Sequence, residues 1–382
     1  MRRIGGILDK HERAVAAALL ALGFALRLVC LASLPCGLNQ DEASAGYDAW
    51  ALLNYGVDRC GNAWPVLLEA WGSGQNALMS WLAIPFIAVL GLTETAVRLP
   101  NALAGCFTLA VFWRLARRAR GRRVGLGSPA RLAINPWHIM ASRWALESNL
   151  LPAALMAGLW CCALAEERPW AAVGAGAAFG LALYAYGTAF FFLPPFLIIA
   201  AVHLRRYLSP APAAAALGVF ALLALPITLC QAANALGMGE IHLLGLTLPE
   251  LTSTRQSATS VLGGGGWAAA WDNFRTFLGI LWRQSDGLPW NSLGLAHGGI
   301  FYVFGLPTAA IGLAVSFGGR KNMPQEWPLR AGVLCALACT FLISGNINRL
   351  NMLWPLLVYF EAAGCYVLLL AHRTSTSLQI AC

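Results

Sequence analysis

The sequence predicts an all-α, polytopic helical membrane protein. The main evidence for that prediction is its amino-acid composition. Hydrophobic residues make up 58% of the 382 residues and charged residues only 11%, whereas soluble globular proteins carry about 25% charged residues. Apolar runs of about 17–25 residues, long enough for a helix to cross a bilayer, recur along the chain. The net charge of +9 comes largely from arginines between these runs, which is typical of cytoplasmic loops and gives no indication of a nucleic-acid partner.

The first apolar run, residues 14–34, is interpreted as an uncleaved helix with a cytoplasmic N-terminus. It is too long for the apolar core of a typical signal peptide. From this start we predict a single transmembrane domain over residues 1–382, with no soluble domain. Three segments of that domain are predicted to be exterior loops: residues 35–95, 141–149 and 232–298.

The first exterior loop is acidic and contains a predicted interfacial helix over residues 42–53. Tyr47 and Trp50 lie within it, and such aromatic residues are enriched at the level of the lipid headgroups. Gly56 is expected to end this helix. The long exterior loop contains four successive glycines, residues 263–266, which are typical of a flexible linker. They do not indicate a phosphate-binding loop, because no Lys-Ser or Lys-Thr follows them.

The number of spanning helices depends on residues 76–92, an apolar run that Pro85 interrupts. If this run crosses the membrane, the arginine-rich residues 114–123 and the later basic loops lie outside. Because basic loops are predominantly cytoplasmic, we expect the run to be interfacial or re-entrant, with about ten spanning helices and both termini cytoplasmic. The alternative has about eleven helices and a distorted region near Arg98. Residues 124–140 form the weakest predicted helix, since glycine, proline and arginine interrupt them.

Four polar clusters are expected on the exterior side of this topology. Ionisable groups near membrane depth are costly and usually face a cavity or a partner. Their convergence on one face therefore predicts a single site. The clusters are Asp41-Glu42, residues 136–149, residues 184–188 and residues 346–351.

The chemistry that fits these clusters is glycosyl transfer from a lipid-linked sugar. An acceptor hydroxyl must lose a proton as it attacks the anomeric carbon, and a carboxylate can take that proton. We assign three catalytic residues: Asp41 as the general base, Glu42 as the second member of its acidic pair, and Glu147 as an acid that positions the acceptor or a metal. The leaving lipid phosphate gains charge that arginines stabilise, so Arg143 and Arg349 are candidate phosphate binders.

Further candidates for substrate binding, each with a structural alternative, are Arg98, His138, Asn149, Tyr186 and Asn348. An Asp-Glu pair can cap a helix, and residues 143 and 147 are spaced to pair on one helix. Arg98 can reach the headgroups with its long side chain. His138 can fill space at the interface, and Tyr186 can belong to an aromatic belt. The asparagines of residues 346–351 can simply satisfy backbone groups in a tight turn.

Taken in order, these motifs resemble the GT-C glycosyltransferases. Asp41-Glu42-Ala43 after the first helix is similar to the acidic motif in the first exterior loop of that superfamily, as is Gly91 followed by Ala96-Val97-Arg98-Leu99-Pro100. The most similar group is the family 39-like proteins, which include protein O-mannosyltransferases and the aminoarabinose transferases of lipid A. Residues 135–149 resemble the second exterior loop of its bacterial members, and residues 346–349 resemble a late segment.

The resemblance implies an inverting transferase that moves a hexosyl or pentosyl group from a polyprenyl-phosphate donor. The acceptor would be a lipid, glycan or protein hydroxyl on the exterior face of the cell membrane. Asp41 matches the acidic catalytic position of the family, and Glu147 lies where relatives carry a second loop acid. A divalent metal occurs in some branches of the superfamily and not in others, so the resemblance does not decide whether this chain uses one. The shortened helix before Pro136 and the expected lack of a C-terminal soluble domain are departures from the family.

Two other interpretations remain open. A transporter or flippase for a lipid-linked or small substrate usually has repeats and broken helices at the bilayer midplane, whereas the acidic pair here follows a helix and no repeat is visible. An inactive scaffold would scatter the polar clusters in space. The positions of Asp41, Arg143, Glu147 and Arg349 relative to one another therefore distinguish a transferase from a scaffold.

Overall fold

The computed structural model describes residues 11–70, 73–252, 259–288, 299–302, 304–318 and 323–381, without the side chains of residues 262 and 373–381. In this part the chain is helical, as predicted, apart from two short antiparallel hairpins. The helices are α1 (Glu12–Leu28), α2 (Gln40–Tyr55), α3 (Leu78–Leu90), α4 (Glu94–Ile134), α5 (Pro136–Arg143), α6 (Leu151–Ala165), α7 (Ala171–Ala185), α8 (Ala189–Leu204), α9 (Pro210–Leu236), α10 (Gly266–Arg283), α11 (Gly305–Gly318), α12 (Trp327–Leu342) and α13 (Trp354–Ala381). The strands are β1 (Leu67–Ala70), β2 (Ser73–Asn76), β3 (Ile241–Leu243) and β4 (Leu246–Leu248).

Helices α1 and α4 are antiparallel and define two faces of the molecule. At the start of α1, the carboxylate of Glu12 accepts a hydrogen bond from Arg117 in α4. At the other end, Arg98 near the start of α4 donates to the carbonyl oxygens of Leu31 at 3.1 Å and Pro35 at 2.8 Å, which follow α1. We call the end that contains Glu12 the N-terminal face and the end that contains Pro35 the loop face.

Helix α3 begins and ends on the loop face. Just before it, the backbone N–H of Asn76 donates to Glu147, and just after it α4 begins beside Arg98. The helix has 13 residues, about 20 Å at 1.5 Å per residue, which is short of the roughly 30 Å of a hydrocarbon core. This arrangement brings residues 114–123 to the N-terminal face, and the non-spanning role of residues 76–92 stays a prediction.

The number of spanning helices stays a prediction. Four described segments are long and apolar enough to cross a membrane, while α3, α7, α8 and α11 are apolar but shorter. The four longer segments are Glu94–Ile134, Glu147–Ala165, Pro210–Leu236 and Trp354–His372.

Helix α4 reverses direction at Gly121, where the backbone has φ 79°, a left-handed value that glycine adopts without steric cost. The chain then returns to the loop face, because the Leu132 carbonyl accepts a hydrogen bond of 2.9 Å from Arg27 at the end of α1. The helix breaks at Asn135, whose side chain caps α5. The predicted weakness of residues 124–140 therefore corresponds to a helix that is broken before Pro136.

Arginines of the N-terminal face pair with carboxylates from distant helices. Arg118 in α4 lies 2.8 Å from Glu167 and 3.3 Å from Glu166, which follow α6. Arg120 donates to Glu326, just before α12, at 2.6 Å. These pairs hold the reversal in the middle of α4, the end of α6 and the start of α12 together on the N-terminal face.

Helices α11 and α13 pack with their backbones in close contact. A Cβ atom added to Gly312 would lie 1.9 Å from the carbonyl oxygen of Phe360, and one added to Gly364 would lie 1.8 Å from that of Thr308. Association of helices in lipid depends on close packing, and small residues allow backbones to approach in this way. The two glycines are therefore required by the contact between the helices.

The first exterior loop contains more structure than the sequence predicted. The interfacial helix α2 is longer than the predicted residues 42–53, and Gly56 with φ 72° ends it as predicted. Helix α1 stops before the predicted residue 34, because Cys30 has φ 55°. The hairpin of β1 and β2, in which Leu67 is opposite Asn76, was not predicted.

The long exterior loop also contains a helix that was not predicted. The four glycines of residues 263–266 were interpreted as a flexible linker, but Gly265 with φ 86° is the residue before α10. On α10, Phe277 and Ile280 are buried, whereas three tryptophans are exposed. These exposed side chains are Trp267, Trp271 and Trp282. Residues 253–258 and 289–298 of this loop lie outside the described residues.

Replacing Gly364 with Ala tests the close packing of α11 and α13. The added methyl group would overlap the Thr308 carbonyl oxygen, so we expect the free energy of unfolding to fall by about 1–3 kcal/mol. The measurement is thermal unfolding of the purified protein in detergent. Gly218→Ala in α9 is the matched control, because nothing lies within 4 Å of a Cβ at that position, and its unfolding temperature should stay the same or rise. Equal losses in both variants would contradict the packing argument.

Candidate active site

A cavity of about 310 Å³ lies on the loop face, between segments that are far apart in the sequence. Its lining combines two carboxylates, one guanidinium group, several amide and hydroxyl side chains, and a few apolar side chains. The lining residues are Asp41, Leu67, Gly74, Gln75, Asn76, Leu146, Glu147, Ser148, Tyr186, Gly187, Thr188, Phe191, Gln231, Leu251, Thr259, Ile343, Asn346, Asn348 and Arg349.

Asp41 is placed on the cavity wall by the first turn of α2. Asn39 caps this helix: its side chain accepts from the Glu42 N–H at 2.8 Å, and its own N–H donates to the Glu42 carboxylate at 3.1 Å. Such a reciprocal capping box fixes the entry of the chain into a helix. The position of Asp41 therefore follows from its two neighbours.

Glu42 was predicted to be catalytic, and the structure corrects that prediction. Its carboxylate accepts from Arg98 Nε at 2.9 Å and from the Ala145 N–H at 3.0 Å. It is 1% exposed and does not line the cavity. Because its oxygens are already engaged by Arg98, Ala145 and the cap of α2, Glu42 holds the loop face together.

Arg98 was predicted to bind substrate or to reach the headgroups, and neither prediction holds. The side chain is fully buried. Besides Glu42, it donates to carbonyl oxygens of the segment after α1, including Leu31, Pro35 and Gly37. A guanidinium group that is fully used inside the protein leaves no donor for a ligand.

Arg143 and His138 are also turned away from the cavity. All three nitrogens of the Arg143 guanidinium donate to carbonyl oxygens at the end of α1 and just after it, with distances of 2.9 Å to Leu26 and Cys30. The predicted phosphate-binding role of Arg143 is therefore wrong. Because α5 ends at Arg143, residue 147 is not one turn further along the same helix. His138 is buried beside Arg27, so it neither binds substrate at the cavity nor fills the interface.

Glu147 lines the cavity, whereas Asn149 does not. The Glu147 carboxylate accepts the backbone N–H of Asn76, whose side chain in turn donates to the Leu183 carbonyl at 2.8 Å. Asn149 accepts from Asn351 at 2.9 Å. The predicted substrate-binding role of Asn149 is thereby corrected. Asn149 instead connects the second exterior loop to the turn of residues 346–351 through this hydrogen bond.

Arg349, Asn348 and Tyr186 line the same cavity as the two acids. The Arg349 Nη1 donates to the Ser344 carbonyl at 3.1 Å, and the Arg349 N–H donates to the Asn346 side chain at 2.7 Å. These contacts hold Arg349, in the turn before α13, at the cavity that Asp41 and Glu147 also line.

Several polar lining residues were not named as sites from the sequence. Gln75 and Asn76 immediately precede an apolar run, and Gln231 ends one. Their position at a predicted membrane boundary is the feature of the sequence that could have identified them as site residues. Thr188 lies in the polar cluster of residues 184–188 that the sequence did indicate. In the described residues, no three His, Cys, Asp or Glu side chains come together as a metal-binding group.

Asp48 is a buried carboxyl group of α2 in the first exterior loop. Burial raises its pKa from 3.8 to about 6, while Arg59, whose N–H donates to it at 3.1 Å, opposes that shift. A raised pKa means that the folded protein binds the proton more tightly than the unfolded chain does. Stability from this group is therefore present below pH 3.8 and is lost as the pH rises through about 6.

The sequence and the fold are both similar to those of known glycosyltransferases. Residues 76–229 match the family model described as dolichyl-phosphate-mannose-protein mannosyltransferase. The crystal structure of ArnT from Cupriavidus metallidurans in the apo state has a TM-score of 0.57 at 15% identity, covering 91% of this chain and 58% of that chain. Its complex with undecaprenyl phosphate has a TM-score of 0.56 at 16% identity, covering 92% and 58%.

An archaeal structure shares the fold as well. Oligosaccharyltransferase AglB from Archaeoglobus fulgidus, in complex with an inhibitory peptide and a dolichol-phosphate, has a TM-score of 0.52 at 13% identity, covering 98% of this chain and 52% of that chain. The chain thus spans little more than half the length of these structures. No match is found among curated proteins. Residues 76–229 thus match a mannosyltransferase family model, and the chain shares the fold of ArnT and AglB.

Glu42→Gln tests the structural role of the buried pair with Arg98. Removing one partner leaves an uncompensated buried charge, so we expect a loss of about 3–5 kcal/mol in unfolding free energy. Thermal unfolding in detergent measures this loss. Glu167→Gln is the matched control, because Glu167 pairs with Arg118 but is 60% exposed, and such pairs contribute about 1 kcal/mol or less. Similar unfolding temperatures for the two variants would contradict the assigned role.

Asp48→Asn should change how stability depends on pH. The amide stays uncharged, so at pH 8 the variant should be more stable than the wild type by on the order of 2–3 kcal/mol, and this gain should vanish towards pH 4. Unfolding temperatures across this pH range give the difference. Asp272→Asn, at an exposed position of α10, is the control. A constant difference at all pH values would rule out a raised pKa at Asp48.

Proposed function

We propose that this chain is a membrane glycosyltransferase that moves a sugar from a polyprenyl-phosphate donor to an acceptor hydroxyl with inversion at the anomeric carbon. The observation that carries the proposal is that Asp41, Glu147 and Arg349, from three distant segments, line one cavity. A scaffold without activity has no reason to bring two acids and a cation together in this way. Charged groups near membrane depth are costly and usually serve a site.

In the proposed reaction Asp41 is the general base. The acceptor O–H bond breaks and its proton goes to the Asp41 carboxylate, while the acceptor oxygen forms a bond to the anomeric carbon. On the opposite side of that carbon, the bond to the phosphate oxygen breaks and the lipid phosphate leaves with an added negative charge. Arg349 lies on the same cavity and would stabilise that charge. Glu147, held by Asn76, would orient the acceptor.

The remaining lining residues suit a sugar. Amide and hydroxyl side chains, among them Gln75, Asn76, Gln231 and Asn346, can both donate to and accept from sugar hydroxyls. Apolar residues such as Phe191 and Ile343 border the same space and would face the lipid part of a donor. ArnT binds undecaprenyl phosphate and AglB binds dolichol-phosphate and a peptide in the structures compared above, which supports a lipid-phosphate donor and leaves a lipid, glycan or protein acceptor for this chain.

We further propose that the cavity faces the exterior of the cell membrane. The arginine-rich residues 114–123 lie on the N-terminal face, where Arg117 contacts Glu12. The cavity opens on the opposite face. Because arginine-rich segments are predominantly cytoplasmic, this separation supports an extracytoplasmic active site in a multi-pass protein.

Asp41→Asn tests the assigned base, because it keeps the shape of the side chain and removes its ability to take a proton. We expect the rate of sugar transfer to fall by about 10²–10⁴-fold without loss of folding. Transfer from a panel of radiolabelled polyprenyl-phosphate sugars is measured in membranes, with Asp272→Asn as a control outside the cavity. The active donor would also identify the sugar.

The outcomes of this experiment separate the possible roles. Equal transfer by the wild type and Asp41→Asn would remove Asp41 as the base, and Glu147→Gln would then test the second acid. Transport of a lipid-linked sugar by the wild type without transfer would overturn the transferase in favour of a flippase.

A further inference from the structure

Helix α10 has a row of exposed apolar side chains along one side. We call Trp267, Trp271, Leu278 and Trp282 the tryptophan stripe, and their exposed fractions are 90%, 56%, 46% and 88%. At 3.6 residues per turn, these four positions fall within a sector of about 60° around the helix axis. Apolar side chains that are exposed singly need no explanation, whereas a continuous apolar surface indicates contact with another component.

A different side of α10 packs on the protein. Ala270, Phe277 and Ile280 are buried there, and a Cβ atom added to Gly345 would lie 3.5 Å from the side chain of Ile280. The helix therefore has its own place in the core and does not need the tryptophan stripe for it. The stripe is left for a partner outside the folded chain.

Helix α10 and its two flanks stay at the loop-face end of the bundle. Hydrogen bonds before, within and after the helix all reach residues 341–347, where α12 ends and Ile343 lines the cavity. The three bonds join Thr259 to Ser344 at 2.9 Å, Asn273 to Phe341 at 3.1 Å and Asp286 to Ile347 at 2.9 Å. The helix thus lies across the end of α12 and does not continue along it towards the N-terminal face.

This placement brings the indole rings to one level of the membrane. Trp267 and Trp282 are roughly 22 Å apart along the helix axis at 1.5 Å per residue, yet they share one side of a helix that stays at one end of the bundle. A planar surface can contact all the rings of such a row. The lipid headgroup layer is the planar surface that tryptophan favours, because an indole ring has an apolar body and a polar N–H group.

A protein partner fits this row less well. The energetically important residues of a protein–protein contact cluster near its centre, inside a rim that excludes water. The rings of the tryptophan stripe are instead spread along the whole helix. The geometry therefore favours a lipid surface over a second protein chain.

The charge beside the stripe suits lipid headgroups as well. Arg275 lies about 20° further round the helix than Trp282 and is 68% exposed, 3.8 Å from Asp272, which is 74% exposed. Exposed ion pairs of this kind are weak, so the guanidinium is available to another anion. Lipid phosphates are such anions, and helices that lie on membranes typically combine aromatic and basic residues in this way.

We propose that the tryptophan stripe docks on the lipid headgroups of the leaflet to which the loop face belongs. Helix α10 is then an interfacial helix, and it holds the long exterior loop against the bilayer. This inference goes beyond the proposed transfer reaction. It requires only that the loop-face ends of the spanning helices reach a membrane surface.

Fluorine NMR of the full chain in phosphatidylcholine nanodiscs tests the docking directly. The tryptophans are replaced by fluorotryptophan, and the three signals are assigned by their loss in Trp267→Phe, Trp271→Phe and Trp282→Phe. Cross-relaxation between fluorine and lipid protons occurs only between neighbouring atoms. We expect all three signals to show it with the choline methyl protons, and to lose it when the choline groups are deuterated. Trp354, which is fully buried, is the control and should show none.

Each other result of the NMR experiment would overturn the proposal. Cross-relaxation with water alone would show that the stripe is open to solvent. Cross-relaxation with the terminal methyl protons of the acyl chains alone would place the helix in the hydrocarbon core. Contacts with protein protons that appear only in discs with two copies of the chain would assign the stripe to self-association.

Amide hydrogen exchange over residues 266–283 gives an independent test in the same nanodiscs. The triple variant Trp267→Ala, Trp271→Ala, Trp282→Ala should exchange faster than the wild type, because the docked helix loses its anchor. Alanine has a higher helix propensity than tryptophan, so faster exchange cannot come from the substitution itself. Asp272→Ala with Thr276→Ala, at exposed positions outside the stripe, is the matched control and should exchange no faster. Equal exchange by the triple variant and the wild type would contradict the docking.

Discussion

The buried ion pair between Arg98 and Glu42 is the interaction on which the loop face depends. Arg98 binds carbonyl oxygens from Leu31 to Gly37, and Glu42 binds the N–H of Ala145, so one pair connects the end of α1, the start of α2, α4 and the second exterior loop. Desolvating two charges is costly, and it is balanced only where the remaining donors and acceptors are also satisfied. The contacts of Arg98 and Glu42 meet that requirement. The ion pair thereby fixes the first turn of α2, which places Asp41 at the cavity.

The walls of the cavity are irregular backbone held by amide side chains. Asn101 donates to the carbonyl oxygens of both Trp144 and Leu146 at 2.8 Å, and Asn351 donates to that of Ser148 at 3.1 Å. Non-helical backbone at membrane depth is tolerated where protein satisfies its polar groups. The second exterior loop is consequently a rigid wall, and Glu147 is presented from it with little freedom.

The sequence predicted the helical fold. Half of the site residues that it predicted line the cavity, including Asp41, Glu147 and Arg349. It placed Arg143 and His138 there as well, because polar groups in a membrane domain must have a partner. What it could not tell is whether the partner is a ligand or a backbone carbonyl, since every residue carries the same carbonyl group. Helix α10 was missed for a related reason: its buried face packs against α12, and the glycines before it indicate only freedom of the backbone.

Helix α10 joins the outer surface of the bundle to the wall of the cavity. On its inner side, the ring of Phe274 stacks on Phe341 with centroids 4.3 Å apart, and Asn273 donates to the Phe341 carbonyl at 3.1 Å. Two residues further on, Ile343 lines the cavity. On its outer side are the three exposed tryptophans, a residue type that favours the headgroup layer. The surface that carries these indole rings and the cavity residue Ile343 are therefore connected by the stack of Phe274 on Phe341 and the Asn273 hydrogen bond.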